Sequence, residues 1–310
     1  MLAVLNVIAP VFGLLAFGYL AVRFKLFPAA GVDALVAFVN NFATPCLLFQ
    51  AMLVADFKTA YNFSIIAPFY VGAITSMFVG MFLAVRLFRT TKPEGVVAGF
   101  SAMFTNTVLV GIPIIQRAYG DRAMPVVYSI ITFHSTLLIT GGMLMMELAR
   151  REGTSLRKTL ALAGLRVFKN PLLWGIGLGI AGNLTGLKLI EPAQAFVDMM
   201  SASVLPAALF GLGGALNEYK LSENWLQSLV MSLLKLVVHP LIAWVLMVPV
   251  LHVDPMIARY GVILAAMPSG INAYVFATYY NRNINVAANS LLLSTVLSLL
   301  TIAFWLTFLG

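Results

Sequence analysis

Apolar residues run along this chain in long, unbroken stretches rather than in alternation with polar ones, and short polar segments separate them. Read for runs of roughly 20 apolar residues, the length needed to cross a hydrocarbon core, the pattern predicts ten spans, at about 2–22, 32–54, 62–88, 96–117, 124–148, 170–187, 193–216, 225–250, 256–280 and 285–309. Continuous runs exclude a barrel of alternating strands. The expected class is therefore an all-α polytopic membrane protein. Met1 is followed directly by Leu2-Ala3-Val4-Leu5 with no basic segment, which does not fit a signal peptide, so the first span is expected to remain in the mature protein.

Two of the spans are interrupted. The fourth runs Thr105-Asn106-Thr107 to Gly111-Ile112-Pro113 and the ninth runs Met267-Pro268-Ser269-Gly270-Ile271-Asn272. Proline removes a backbone donor, and groups freed in this way are tolerated at membrane depth only where protein or a water-filled cavity satisfies them. Five spans fall in each half of the chain, and an odd number per half turns the second half over in the bilayer, giving a five-plus-five inverted repeat. Short echoes fall at matching spans: Pro45-Cys46-Leu47-Leu48-Phe49 with Pro206-Ala207-Ala208-Leu209-Phe210, and Ser101-Ala102-Met103 with Ala265-Ala266-Met267. Gly175, Gly177 and Gly179 of span six, and Gly211, Gly213 and Gly214 of span seven, are expected to allow close helix packing inside one domain.

Composition agrees, with 61% hydrophobic and 10% charged residues and a mean hydropathy of +0.96. The net charge of +8 does not signal nucleic acid, because the basic residues are scattered over short loops. Arg23, Lys25, Arg86, Arg89, Lys92, the cluster from Arg150 to Lys169, Lys220 and Arg282 would lie on one side, and Lys58, Arg117, Arg122, Lys188 and Arg259 on the other. The positive-inside bias then puts both termini outside and the central loop 150–169 in the cytoplasm. Cys46 is the single cysteine, so an intramolecular disulfide and a cysteine-cluster metal site are excluded; no cofactor is expected.

Unwound spans four and nine would each present half-helix ends, and the N–H ends favour an anion without any buried cation. Asn106 and Asn272 sit at the breaks, where an amide nitrogen can donate to an anion while the oxygen accepts from backbone. Thr105, Thr107 and Ser269 add donors, and Gly111, Pro113, Pro268 and Gly270 shape the breaks. Pro45 with Asn41 and Thr44, and Pro206 with Ser203, form a second symmetric set, expected to bend helices facing the site. Among ionisable residues within spans, Asp198, Lys235, His239 and His134 are candidates for coupling, since charge at membrane depth is usually functional. Lys235 equally fits a side chain snorkelling to the inner interface, and His239, before Pro240, also fits a residue that simply occupies a bend.

Asn106-Thr107-Val108-Leu109-Val110-Gly111-Ile112-Pro113 and Pro268-Ser269-Gly270-Ile271-Asn272-Ala273-Tyr274-Val275-Phe276-Ala277 resemble signatures of the auxin efflux carrier family, and the resemblance extends over the whole chain. It implies crossed helices four and nine, with an asparagine of each at the substrate carboxylate. It also implies scaffold spans in 1–55 and 168–218 and elevator-type transport-domain spans in 60–150 and 224–310. Homodimers through spans two and seven are a further implication. The compact length resembles bacterial members in the inner membrane that carry malonate or malate. Pro113 stands seven residues after Asn106 whereas Pro268 stands four before Asn272, so the two breaks differ. The expected function is a secondary transporter of small mono- or dicarboxylates working by alternating access. An anion channel of the same fold, an exporter of auxin-like indole acids and a sensor without transport are the alternatives. An enzyme is not expected, because neither an H-E-x-x-H nor a G-x-S-x-G motif occurs.

Overall fold

A computed structural model describes residues 2–55, 61–150, 164–165, 168–218 and 223–310. Most of the expected loop 150–169, together with Lys58 and Lys220, lies outside the described residues. The described residues are helical without named strands. Seven helices among them are long and apolar enough to cross a membrane. The helices are α1 (Leu2–Arg23), α2 (Ala29–Leu53), α3 (Phe63–Arg86), α4 (Lys92–Met103), α5 (Ile112–Tyr119) and α6 (Met124–Arg150). There follow α7 (Pro171–Leu184), α8 (Glu191–Ala215), α9 (Trp225–Val250), α10 (Pro255–Ala265), α11 (Asn272–Tyr280) and α12 (Ile284–Leu309).

The remaining three expected spans do not form long helices. Span six is the short apolar helix α7. Span four divides into α4, a wide π-type turn at Thr107–Gly111 and α5, and span nine divides into α10 and α11.

Local chemistry sets these boundaries. The Asn62 side chain accepts from Ser64 N at the start of α3, Asn170 from Leu172 N at α7 and Asp254 from Met256 N at α10. Each satisfies a donor that the first helical turn leaves open. At α4 the Glu94 carboxylate reaches back to the backbone N–H and hydroxyl of Thr91, each at 2.8 Å. Proline stands in the first turn of α4, α7, α8 and α10, where its missing N–H breaks no bond.

Three mid-span prolines follow π-type turns: Pro45 after Val39–Ala43, Pro113 after Thr107–Gly111 and Pro240 after Leu234–Val238. A proline ring clashes with the carbonyl four residues back. Here the residue just before each proline bonds five residues back instead, Thr44 to Val39, Ile112 to Thr107 and His239 to Leu234. The widened turn makes room for the ring, so span two continues through Pro45 as a single span.

The chain forms two compact units. One comprises the described residues of Met1–Ile8, Asn62–Ala163 and Tyr219–Gly310, the other those of Ala9–Tyr61 and Gly164–Glu218. In the second unit α7 lies directly on the end of α2. A Cβ added to Gly175 would stand 2.3 Å from Pro45 O and one on Gly179 2.5 Å from Phe49 O, so the four-residue glycine spacing serves packing within the unit. Gly177 between them faces open space. Asn183 Nδ2 donates to Met52 O, Leu53 O and Ala55 O at 2.8–3.2 Å, satisfying the carbonyls left open at the end of α2.

In the first unit α9 and α12 meet along serines spaced by four. Ser228 Oγ donates to Val286 O and Ser232 Oγ to Ser290 O, both at 3.3 Å. Small side chains bring these backbones together and hydrogen bonds join them. Phe78, Phe82, Leu300, Phe304 and Phe308 are exposed on the same unit, an apolar surface suited to lipid.

Candidate functional site

The two interrupted spans meet in the first unit. Beyond Met103 the chain turns extended at Phe104 (ψ 115°), and Thr105 forms an isolated antiparallel bridge with Ser269. Asn106 N donates to Pro268 O at 2.8 Å and Gly270 N to Phe104 O at 2.9 Å. Each break thus supplies the partners that the other lost, as a low-dielectric setting demands. Pro268 cannot donate, but this pairing uses only its carbonyl. Gly270 permits the close approach, since a Cβ there would lie 2.8 Å from the Phe104 ring.

Side chains from neighbouring helices fasten the crossing. Ser269 Oγ donates to Ser101 O at 2.6 Å, and Ser269 N donates to Ser294 Oγ at 3.0 Å. The Ser269 hydroxyl hydrogen, expected to face an anion, is therefore spent on the backbone of α4. His134 Nε2 donates to Thr105 O at 3.0 Å, and its ring stands edge-on to Phe104 with centroids 4.8 Å apart. Lys235 Nζ donates to Ala265 O at 2.6 Å, at the carbonyl end of α10.

These contacts leave the two kinds of helix end unequal. His134 caps the Thr105 carbonyl at the crossing and Lys235 caps a carbonyl at the end of α10, which offsets partial negative charge at each. On the N–H side, Asn106 Oδ1 accepts from Leu109 N at 3.2 Å. That bond fixes the amide orientation, because only the oxygen can face an N–H. Asn106 is 5% exposed, and its Nδ2 has no partner among the described residues. The Thr105 hydroxyl, also buried, is likewise unpartnered. Orphaned polar atoms at this depth are uncommon and call for an explanation.

Asn272 begins α11, is half-buried and forms no hydrogen bond through its side chain among the described residues. Thr107 opens the π-type turn, and Gly111 closes it with N–H donated to Asn106 O at 3.0 Å. Pro113 stands in the first turn of α5, beyond the bridge, whereas Pro268 lies in it.

Pro45, Thr44, Asn41, Pro206, Ser203 and Asp198 belong to the second unit. Asp198, expected as a charge inside span seven, is exposed and accepts from Gln50 Nε2 at 2.5 Å and Gln194 Nε2 at 2.8 Å. Thr44 is fully buried, its hydroxyl without a partner among the described residues, and Ser203 donates to Met200 O. Sequence reasoning passed over Ser294 and Phe104. The serines at 290, 294 and 298, four apart and all buried in α12, are the signal for Ser294. No group of three or more metal-ligating side chains occurs among the described residues.

Residues 3–306 match the model of a family described as "Membrane transport protein". The chain is 25% identical over 308 residues to the "Putative malonate transporter" of Rhizobium meliloti (strain 1021), covering 97% of this chain and 94% of that one. It is 20% identical over 354 residues to auxin efflux carrier component 8 of Arabidopsis thaliana, covering 96% and 95%. It is also 24% identical over 320 residues to the lysosomal cholesterol signaling protein of Mus musculus, covering 95% of this chain but 36% of that protein.

Proposed function

The chain belongs to the membrane transport protein family, that of the auxin efflux carriers, and on that premise we propose that it is a secondary carrier of small organic anions, with carboxylates such as malonate as substrates. The observation that carries this reading is Asn106, a buried amide whose oxygen is engaged by Leu109 N and whose two nitrogen-bound hydrogens are unclaimed among the described residues. An anion at the crossing would accept from it, from Asn272 and from the Thr105 hydroxyl. The N–H ends of the segments starting at Thr107 and Asn272 would favour its charge. Neutral donors also suit a site that must release its ligand, since a buried cation dedicated to the anion would be left uncompensated at each departure.

Transport would proceed by alternating access. In this reading the crossing and the helices around it form the carrying unit, as an elevator does, and residues 1–55 and 168–218 form the scaffold; the division of the chain into two compact units supports it except at Met1–Ile8, which fall in the unit of the crossing. The ten-span inverted repeat, the bacterial inner membrane and a homodimer through spans two and seven are parts of the same reading. Malonate is favoured over an indole acid by the similarity to the bacterial protein bearing that name.

The test is equilibrium binding of malonate, malate and indole-acetate to purified protein and to Asn106→Ala. Removing one charge-assisted hydrogen bond, worth about 1.5–3 kcal/mol, weakens binding by roughly tenfold or more. Equal affinity in the two proteins would overturn the assignment of Asn106.

A further inference from the structure

Lys235 is among the largest fully buried side chains of the molecule, at 0% exposure in the middle of α9. It has two partners. Nζ donates to Ala265 O at 2.6 Å and lies 3.2 Å from His239 Nδ1. The roles at His239 follow from its other nitrogen: Nε2 stands 2.9 Å from Phe69 O, which can only accept, so Nε2 carries the hydrogen and Nδ1 offers a lone pair to Lys235. Space is reserved for this ring on α3, where a Cβ on Gly72 would come within 2.8 Å of His239 Cδ2.

Among the described residues, no carboxylate is hydrogen-bonded to Lys235 Nζ. Among the described residues, α3, α10 and α12 contain no Asp or Glu. The only carboxylate of α4, Glu94, is in its first turn and occupied by Thr91. Asp254 caps α10 through Met256 N. The cations on these helices are Arg86 at the end of α3, Lys92 at the start of α4 and Arg259, which donates to Gly310 O. Tyr70 of α3 donates its hydroxyl to Ile130 O. The Tyr260 ring of α10 stands tilted against that of Tyr119, with centroids 5.3 Å apart. His134 lies across the Phe69 ring, whose centroid is 5.8 Å from it and 4.9 Å from that of His239.

Two acceptors suit the two hydrogens of a neutral amine, whereas an ammonium would have a third hydrogen and a charge without a counterpart. The acceptor Ala265 O precedes the crossing by the residues 266–268, and Pro268 O in turn holds Asn106 N.

Resting on the carboxylate reading above, we propose that Lys235, seated on His239, takes up a proton when an anion occupies the crossing and releases it when the anion leaves, so that carboxylate and proton travel together. The balance is simple: the Nζ lone pair takes a proton from solvent to become ammonium, the bound carboxylate supplies the missing negative charge, and on unloading the same N–H bond breaks to return the proton. Anion binding and protonation are then linked, each tightening the other.

The experiment is calorimetric titration of the full-length protein with malonate above neutral pH, where the probe is ionised, in buffers of different ionisation enthalpy. The unmodified protein is expected to take up about one proton per anion bound. Lys235→Met, which cannot protonate, and Lys235→Arg, which cannot deprotonate, should bind with none. Anion binding without proton uptake in the unmodified protein overturns the inference and leaves the carboxylate reading standing. Proton uptake persisting undiminished in both variants overturns it equally. Failure of the unmodified protein to bind any carboxylate would remove the carboxylate reading, and this inference with it.

Discussion

At the scale of single residues, the crossing divides its polar atoms into those that hold the fold and those left over. Ser269 is of the first kind, with its hydroxyl on Ser101 O and its N–H on Ser294. Ser269→Ala should lower stability by about 0.5–1.5 kcal/mol, the net worth of one hydrogen bond, measured by thermal unfolding in detergent, while malonate affinity changes less than in Asn106→Ala. Asn106 is of the second kind, and its chemistry was legible from sequence: an asparagine opening a helical segment turns its oxygen to the backbone, as it does to Leu109 N. What could not be read was the spent hydroxyl of Ser269, because its partners come from α4 and α12, far away in sequence. Gly270 belongs with the fold-holding group. Gly270→Val would drive a side chain into the Phe104 ring, 2.8 Å from the new Cβ, and should destabilise by about 1–3 kcal/mol and weaken anion binding.

At the scale of elements, continuous apolar runs located the long helices, and Pro268-Ser269-Gly270 marked the break in span nine because it combines a missing donor with a missing Cβ. Span six was read too long: Asn183 and Thr185 are interior residues on hydropathy alone, but Asn183 turns onto the end of α2 and α7 stops at Leu184. The wide turns before Pro45, Pro113 and Pro240 were not legible either, since a proline can be accommodated by a kink, a break or a π-type turn, and neighbouring helices decide which. Helix contact in the second unit was foreshadowed by glycine spacing. Gly179→Leu, whose Cβ would meet Phe49 O at 2.5 Å, should force α7 off α2 and lower the unfolding temperature, whereas Gly177→Leu, facing open space, should leave it nearly unchanged. Equal effects would contradict the packing.

At the scale of the whole molecule, the distribution of basic residues predicts which loops face each side of the membrane. With Cys46 replaced by Ala, a single cysteine at Arg122 should react with an impermeant maleimide on intact cells, and one at Arg89 only after permeabilisation. The reverse pattern would invert the proposed topology. Most direct is counterflow of labelled malonate in proteoliposomes preloaded with unlabelled malonate. A carrier with its anion site at the crossing of the broken spans gives saturable uptake, accelerated by the internal anion and reduced roughly tenfold in initial rate at low substrate by Asn106→Ala. Flux that rises linearly with malonate, ignores the internal anion and is the same in Asn106→Ala would contradict it.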